Sequence, residues 1–266
     1  MSDPASDKTP TTAEEPLSLR AAWRAHGTAV CVLAALTLAI VLGAYFALHA
    51  SVGGRAAVLG CLALAVVWTA VAAPLAAAGA ARPVGAVLRA GILADATGVA
   101  LLVLWAASPY MSFSSAVQVY CIAAAMALAA TAATRVARGP HGRYAAAVSA
   151  ALVLMLMLSG PFWTGGALHA AGYERAGDLV AIVVRVNAFY SITGAVYDET
   201  HFSWNEGEAN VMYSRIAQVQ RYDPPAARWY DAVLTHLLLA GILVGVASVR
   251  GRRSRAAAQP DRSGPD

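Results

Sequence analysis

Lysine is almost missing from this chain. Of 266 residues only Lys8 is a lysine, and it stands in a polar N-terminal tail. A Walker A loop, G-x-x-x-x-G-K-[ST], needs its lysine at the β- and γ-phosphates, so the chain holds no such loop. The same scarcity removes a Schiff-base lysine. Charge of either sign is also scarce, at 13% of residues against 59% apolar. That balance lies outside the range of soluble domains of this length and reads as an all-α, polytopic membrane protein. Cysteines number three. Cys31, Cys61 and Cys121 all fall in apolar stretches, with no CxxC pair and no histidine nearby at ligand spacing, so they are expected to be small buried packing residues rather than disulfides or metal ligands. G-x-S-x-G is absent. His49, His169, His201 and His236 form no i, i+4 pair of the kind a haem or di-metal site uses. No catalytic, cofactor-binding or metal-binding residue is therefore assigned.

What is present is a set of six apolar stretches, 27–48, 57–79, 91–107, 116–134, 144–163 and 230–249, each long enough to span a bilayer. The arginines alternate between them. Arg20 and Arg24 precede the first, Arg82 and Arg89 separate the second from the third, Arg135, Arg138 and Arg143 the fourth from the fifth, and Arg250, Arg252, Arg253 and Arg255 follow the sixth. Short loops rich in Lys and Arg stay cytoplasmic, which predicts both termini inside. The net charge of +4 is spent on these helix flanks, with no basic stripe interleaved with aromatics, so no nucleic-acid partner is expected. The first span lacks a small-residue cleavage site and reads as a retained helix, not a removed signal peptide.

Along the chain, 1–15 reads as a disordered cytoplasmic tail. Residues 16–26, with Arg20, Trp23 and Arg24, suit a short amphipathic helix on the membrane surface, or simply an overhang of the first span. Residues 27–163 form a five-helix region rich in Ala and Gly, which lets backbones approach closely in lipid. In the 81–90 loop, Pro83 marks a helix start, and Arg82 and Arg89 lie about two turns apart on one face, as in a docking helix or a charged connector. The 135–143 loop, with Gly139, Pro140 and Gly142, predicts a tight turn. Trp105, Trp163 and Trp229 fall at the ends assigned to the outside, as an aromatic belt would. Residues 250–266 form a basic cytoplasmic tail.

The segment 164–229 is predicted to be extracytoplasmic. Its apolar part, 179–197, would give an odd number of crossings if it spanned, and it carries Arg185, Asn187 and Gly194. It is expected to be a re-entrant or interfacial helix, about 178–197, starting at Asp178 and supported by surrounding protein. Asp95, four residues into the third span, is a relay or helix-pairing candidate. At that position it also suits the positive end of the helix dipole and headgroup water. The stretch 198–208, DETHFSWNEGE, gathers four acids and His201 but matches neither an EF-hand nor H-E-x-x-H, and reads as a solvated acidic loop.

Six spans with cytoplasmic ends, an amphipathic lead-in and a re-entrant element confined to the gap between spans five and six resemble the ABC-2 type permeases. Arg185-Val186-Asn187-Ala188-Phe189-Tyr190 is similar to the Asn-Pro-hydrophobic motif that often follows span five in that family, with Ala188 in place of the proline. The loop after span two departs from the family, being short and without its Glu-rich, Gly-Thr-containing segment. The resemblance implies a homodimeric membrane subunit in the cell membrane that pairs with a separate cytoplasmic P-loop ATPase. It would be coupled through Arg20, Trp23, Arg24, Arg82 and Arg89, with a pathway or gate drawn from Asp95, Asp178, Arg185 and Asn187. The competing expectation is a non-transporting scaffold or assembly factor whose 164–229 segment binds a partner.

Overall fold

In the computed structural model, residues 19–160, 170, 173–200 and 228–258 are described. They form helices α1 (Leu19–Val52), α2 (Gly54–Ala78), α3 (Pro83–Ala107), α4 (Phe113–Val136), α5 (Gly139–Leu158), α6 (Tyr173–Val186), α7 (Ala188–Ala195), α8 (Tyr197–Thr200) and α9 (Trp229–Ala258), with no strand among the described residues. Six of them, α1 to α5 and α9, are long and apolar enough to cross a bilayer. The chain is an integral, multi-pass membrane protein with an all-α bundle fold.

Except for α5, which is as long as its stretch but begins five residues earlier, the spanning helices run longer than the apolar stretches that announced them. Residues 19–26 are continuous with α1, so of the two alternatives for this segment the overhang of the first span is the one found. The α3 helix begins at Pro83, eight residues before the third stretch, because proline lacks only an N–H that the first turn leaves unpaired anyway. The 81–90 segment is thus neither a separate docking helix nor a loop; most of it is the first two turns of α3. The turn expected over 135–143 shrinks to two residues, Ala137 and Arg138, with Gly139 at φ 69° opening α5. At the other end of the bundle a single residue, Gly53, separates α1 from α2 at φ 88°, a conformation that L side chains rarely adopt.

The two most enclosed helices are α2 and α4, with 56% and 61% of their apolar windows buried, against 17% for α5 and 11% for α9 on the periphery. The buried face of α2 repeats a small residue every fourth position: Ala57, Cys61, Ala65, Thr69, Ala73 and Ala77. In lipid there is no hydrophobic force between helices, so close backbone approach along such a stripe supplies the packing that holds them together. Side-chain hydrogen bonds cross the same seam. The Trp68 indole donates to Thr37 Oγ1 at 3.0 Å, and Cys61 Sγ donates to the Val41 carbonyl at 2.9 Å. Cys61 is buried as expected and Cys121 is partly so, but Cys31 is exposed on the outer side of α1, where a small apolar side chain can face lipid.

Contacts between helix ends establish the up-and-down order. Arg89 on α3 meets His26 on α1, Arg135 and Arg143 reach the end of α2, and Arg138 reaches Arg250 on α9, so these arginines gather at one end. At the opposite end, Gly54 abuts Tyr110 and His49, and Tyr45 OH donates to the Ala107 carbonyl. Trp105 packs edge-on against Phe113 there, with ring centroids 5.4 Å apart, in keeping with an aromatic belt. Trp163 lies outside the described residues.

The 179–197 stretch does not cross. It is broken at Asn187 into α6 and α7, both too short to span, and α7 packs among α2, α4 and α9. Ala188, Ile192, Ala195 and Val196 join the main core, and Tyr190 is almost wholly buried. The chain therefore enters the bundle from the end opposite the arginines and leaves on the same side.

Candidate functional site

Three polar constellations stand out in a chain so poor in charge. The first is the arginine end. Helix α2 ends at Ala78, and two guanidiniums from the α4–α5 turn region bond its last turn and the carbonyls of the connection into α3. Arg135 Nη2 donates to the carbonyls of Ala77 and Ala80, both at 3.1 Å, and of Arg82 at 3.3 Å. Arg143 Nη1 donates to Ala80 at 2.8 Å and Ala81 at 2.7 Å. Cationic groups at a helix C-terminus also oppose the negative end of its dipole. Arg89 turns inward to His26, Nη2 to Nδ1 at 3.1 Å, and its Nη1 lies 2.6 Å from where a Cβ on Gly79 would be. Of the five residues expected to form a coupling surface, Arg82 is exposed and Arg89 is half-buried and engaged within the chain. Arg20, Trp23 and Arg24 sit on the first turns of α1, with their side chains outside the described set.

The second constellation is Asp95 with Tyr120. Because α3 begins at Pro83, Asp95 is not in the first turns of its helix: it stands at the midpoint, about 18 Å from either end at 1.5 Å per residue. The helix-dipole and headgroup explanation for this acid therefore fails. Its carboxylate points off the bundle, and Tyr120 OH donates to Oδ1 at 2.9 Å. Gly98, one turn along α3, makes room for the tyrosine ring: a Cβ there would lie 2.8 Å from Tyr120 Cδ2. A carboxylate at mid-bilayer costs roughly 2.5–3.5 kcal/mol on insertion scales. One hydrogen bond between membrane helices returns about 0.6–1.7 kcal/mol. Tyr120 alone does not balance Asp95, which leaves this face in need of a further polar partner.

The third is the plug formed by α6 to α8. Asn187, fully buried, holds it in place. Its Oδ1 accepts from Phe189 N at 2.9 Å, starting α7, while Nδ2 donates to the carbonyls of Met157 at 3.0 Å and Leu158 at 2.9 Å, closing the end of α5. Ser191 Oγ donates to the Arg228 carbonyl at the start of α9, 3.2 Å away. On α8, Glu199 Oε1 accepts from Ser115 Oγ at 3.0 Å; Ser112 caps the same helix start by accepting from Ser115 N at 3.1 Å. The carboxylate thus sits at the positive end of α4. Glu199 Oε2 is enclosed and has no hydrogen-bond partner among the described residues.

Asp178, Arg185, Asn187 and Asp95 are not gathered into one site. Asp178 and Arg185 are exposed on α6, Asn187 is consumed by α5 and α7, and Asp95 bonds α4. Of the acidic stretch 198–208, only Asp198 to Thr200 are described, and the rest lies outside the described residues. No group of three potential metal ligands occurs among the described residues. Tyr120, Ser115 and His26 were missed by sequence reasoning. Tyr120 carried a signal nonetheless, as a polar-tipped ring within an apolar span one helix away from the only acid in a span interior. No family model, curated protein or solved structure matches the chain, so its function is argued from these three constellations.

Proposed function

We propose that the chain is the membrane-spanning permease subunit of an ABC-type exporter, acting as a homodimer and driven by a separate cytoplasmic P-loop ATPase. The observation that carries this reading is the plug. A helix pair broken at a buried, fully bonded asparagine enters the bundle from the end opposite the arginines, where an export path needs closing. Half-helices inside a membrane bundle are tolerated where protein or a water-filled cavity surrounds them, which is also where transport paths run. The outward-facing Asp95–Tyr120 pair supports the homodimer, because a second copy offers the polar partner that lipid does not. On this reading the arginine end faces the cytoplasm, and the ATPase meets the first turns of α1 together with Arg82.

A second reading, a non-transporting scaffold that binds an extracytoplasmic partner through the 164–229 segment, draws support from the arginine end itself. Arg135, Arg143 and Arg89 are occupied inside the chain, and only 79–82 separate α2 from α3, with no coupling helix between them. Mild-detergent purification of the full chain separates the two. The permease reading expects a soluble P-loop ATPase to co-purify, its turnover to change when the chain is present, and Arg82→Glu to weaken the association. Arg82 is the clean choice, since Arg89→Glu would also break the contact with His26. A preparation that retains an extracytoplasmic partner and no ATPase would sink the permease.

A further inference from the structure

Helix α3 packs against α1, α2 and α4, and the face it turns away from them carries a pattern that the bundle does not use. Leu88, Gly91, Asp95, Gly98, Leu102 and Trp105 follow one another at steps of three and four, and none of them is buried. That is the period of a seam between two helices that supercoil around each other. At Gly91 the seam is open, with nothing within 4 Å of where a Cβ would stand. Asp95 falls near its centre. A single polar group in an otherwise apolar seam fixes the register and the number of strands.

What Asp95 still needs is a hydrogen-bond donor, because Tyr120 OH supplies Oδ1 only and Oδ2 has no partner among the described residues. Lipid tails have none to offer. The next residue on α4 does: Cys121 lies about 100° round the helix from Tyr120, half-buried, on the side where Val117 and Leu128 are exposed. Its thiol makes no hydrogen bond among the described residues. The Tyr120 ring lies against Gly98 and its hydroxyl on Asp95, so this part of α4 stands close to the depth of the acid. A second copy related by a two-fold axis along the bilayer normal keeps that depth, and brings the partner's Cys121 to Asp95 while the partner's Asp95 meets Cys121. Each copy has one acceptor and one donor to spare, which makes the face self-complementary. Packing α3 on the partner's α4 also keeps the two carboxylates apart, where α3 on α3 would set like charges face to face. A thiol is a weak donor, yet the bundle already uses one between helices, Cys61 to the Val41 carbonyl at 2.9 Å, and a charged acceptor strengthens such a bond.

We propose that the α3–α4 face is the interface between two copies of this chain, with the seam of α3 packed on the exposed side of the partner's α4 and Asp95 Oδ2 accepting from the partner's Cys121 thiol. The inference rests on the homodimer of the permease reading and adds where the copies meet and through which side chains.

Two measurements on the full chain in phosphatidylcholine liposomes test it. In a chain with Asp95→Cys and Cys31→Ala, oxidation with copper phenanthroline should give a dimer whose disulfide joins positions 95 and 121, identified by peptide mass spectrometry, and the dimer should disappear when Cys121→Ala is added. Leu152→Cys, on the exposed side of α5, should give no such dimer. Förster transfer between copies labelled on the C-terminal tail then reads the association constant. Cys121→Ala should lower it about 10- to 300-fold, the range for two symmetry-related bonds between membrane helices. Cys121→Ser, a better donor of similar size, should keep or raise it, and adding Asp95→Leu to Cys121→Ala should weaken it no further than the more severe single change. Helix content by circular dichroism separates a weakened contact from a misfolded chain. An unchanged association constant in Cys121→Ala, or a dimer without the 95–121 linkage, would overturn this interface and leave the homodimer standing. A chain that stays monomeric at every protein-to-lipid ratio would remove the homodimer as well.

Discussion

Asn187→Ala is the sharpest perturbation available, because one side chain serves two helices. Removing Oδ1 deletes the cap of α7, worth about 1 kcal/mol. Removing Nδ2 leaves the Met157 and Leu158 carbonyls without that donor in a buried setting, at about 1–3 kcal/mol for an unmet buried group. Together the plug should lose about 2–4 kcal/mol against its open state, which is a 30- to 1000-fold rise in local opening. The six long helices do not depend on this residue and should stay assembled. Hydrogen exchange in detergent reads this directly: amides of 189–196 should exchange faster by that factor, while those of α2 and α4 should not. Asn187→Asp separates the two halves of the argument. It keeps the capping acceptor but turns a donor into a second acceptor facing two carbonyls, so it should open the plug at least as much as alanine does. Equal protection of 189–196 in the original chain and in Asn187→Asp would refute the reasoning, since the donated bonds to α5 would then contribute nothing.

Asp95→Leu should ease insertion of α3 by about 3 kcal/mol while costing the assembled bundle the Tyr120 bond, about 0.6–1.7 kcal/mol, and should lower the dimer fraction seen by cross-linking; a dimer fraction that stays constant removes Asp95 from any interface between copies. Gly98→Ala should act like Tyr120→Phe, because its Cβ displaces the ring that donates to Asp95, and the two changes combined should be no worse than either alone. Among the arginines, the loss of melting temperature on substitution by glutamine should rank Arg135 above Arg143 above Arg138, following three close carbonyl bonds, two, and one exposed. An inverted order would mean that closing the end of α2 is not what these side chains do.

The number of spans and their alternation were legible in the sequence because each depends on a strong local signal: long apolar runs for the helices, arginines for their ends. The rejection of 179–197 as a crossing followed from the same charges, and the break at Asn187 supplies the physical reason. What local patterning could not give was depth. The start of α3 depended on Val84, Gly85, Ala86, Val87 and Leu88 being helical in spite of the arginines that bracket them, and hydropathy reads such charges as a loop. The error moved Asp95 from the edge of the bilayer to its middle. Partners across helices were equally out of reach, since Tyr120 and Asp95 are 25 positions apart and Ser115 and Glu199 are 84 apart.

The arginines also show why orientation and stability are hard to separate in this chain. A rule about which loops stay in the cytoplasm treats Arg135, Arg138 and Arg143 as interchangeable positive charges. The structure gives them different tasks. Arg135 bonds Ala77 at the end of α2, it and Arg143 together hold the carbonyls of the α2–α3 turn, and both carry a buried Nε with no partner among the described residues, so neither is free to face a headgroup or a partner protein. Arg138 stands exposed beside Arg250. Reversing Arg138 should therefore change what the surface attracts while leaving the bundle intact, and reversing Arg135 should damage the α2–α3 turn before any effect on orientation can be read. Protease accessibility of the C-terminal tail in sealed vesicles, measured beside melting temperature, distinguishes these outcomes: an Arg135→Glu chain that melts like the original but inverts its tail would show that topology, not the closing of α2, is the task of that residue.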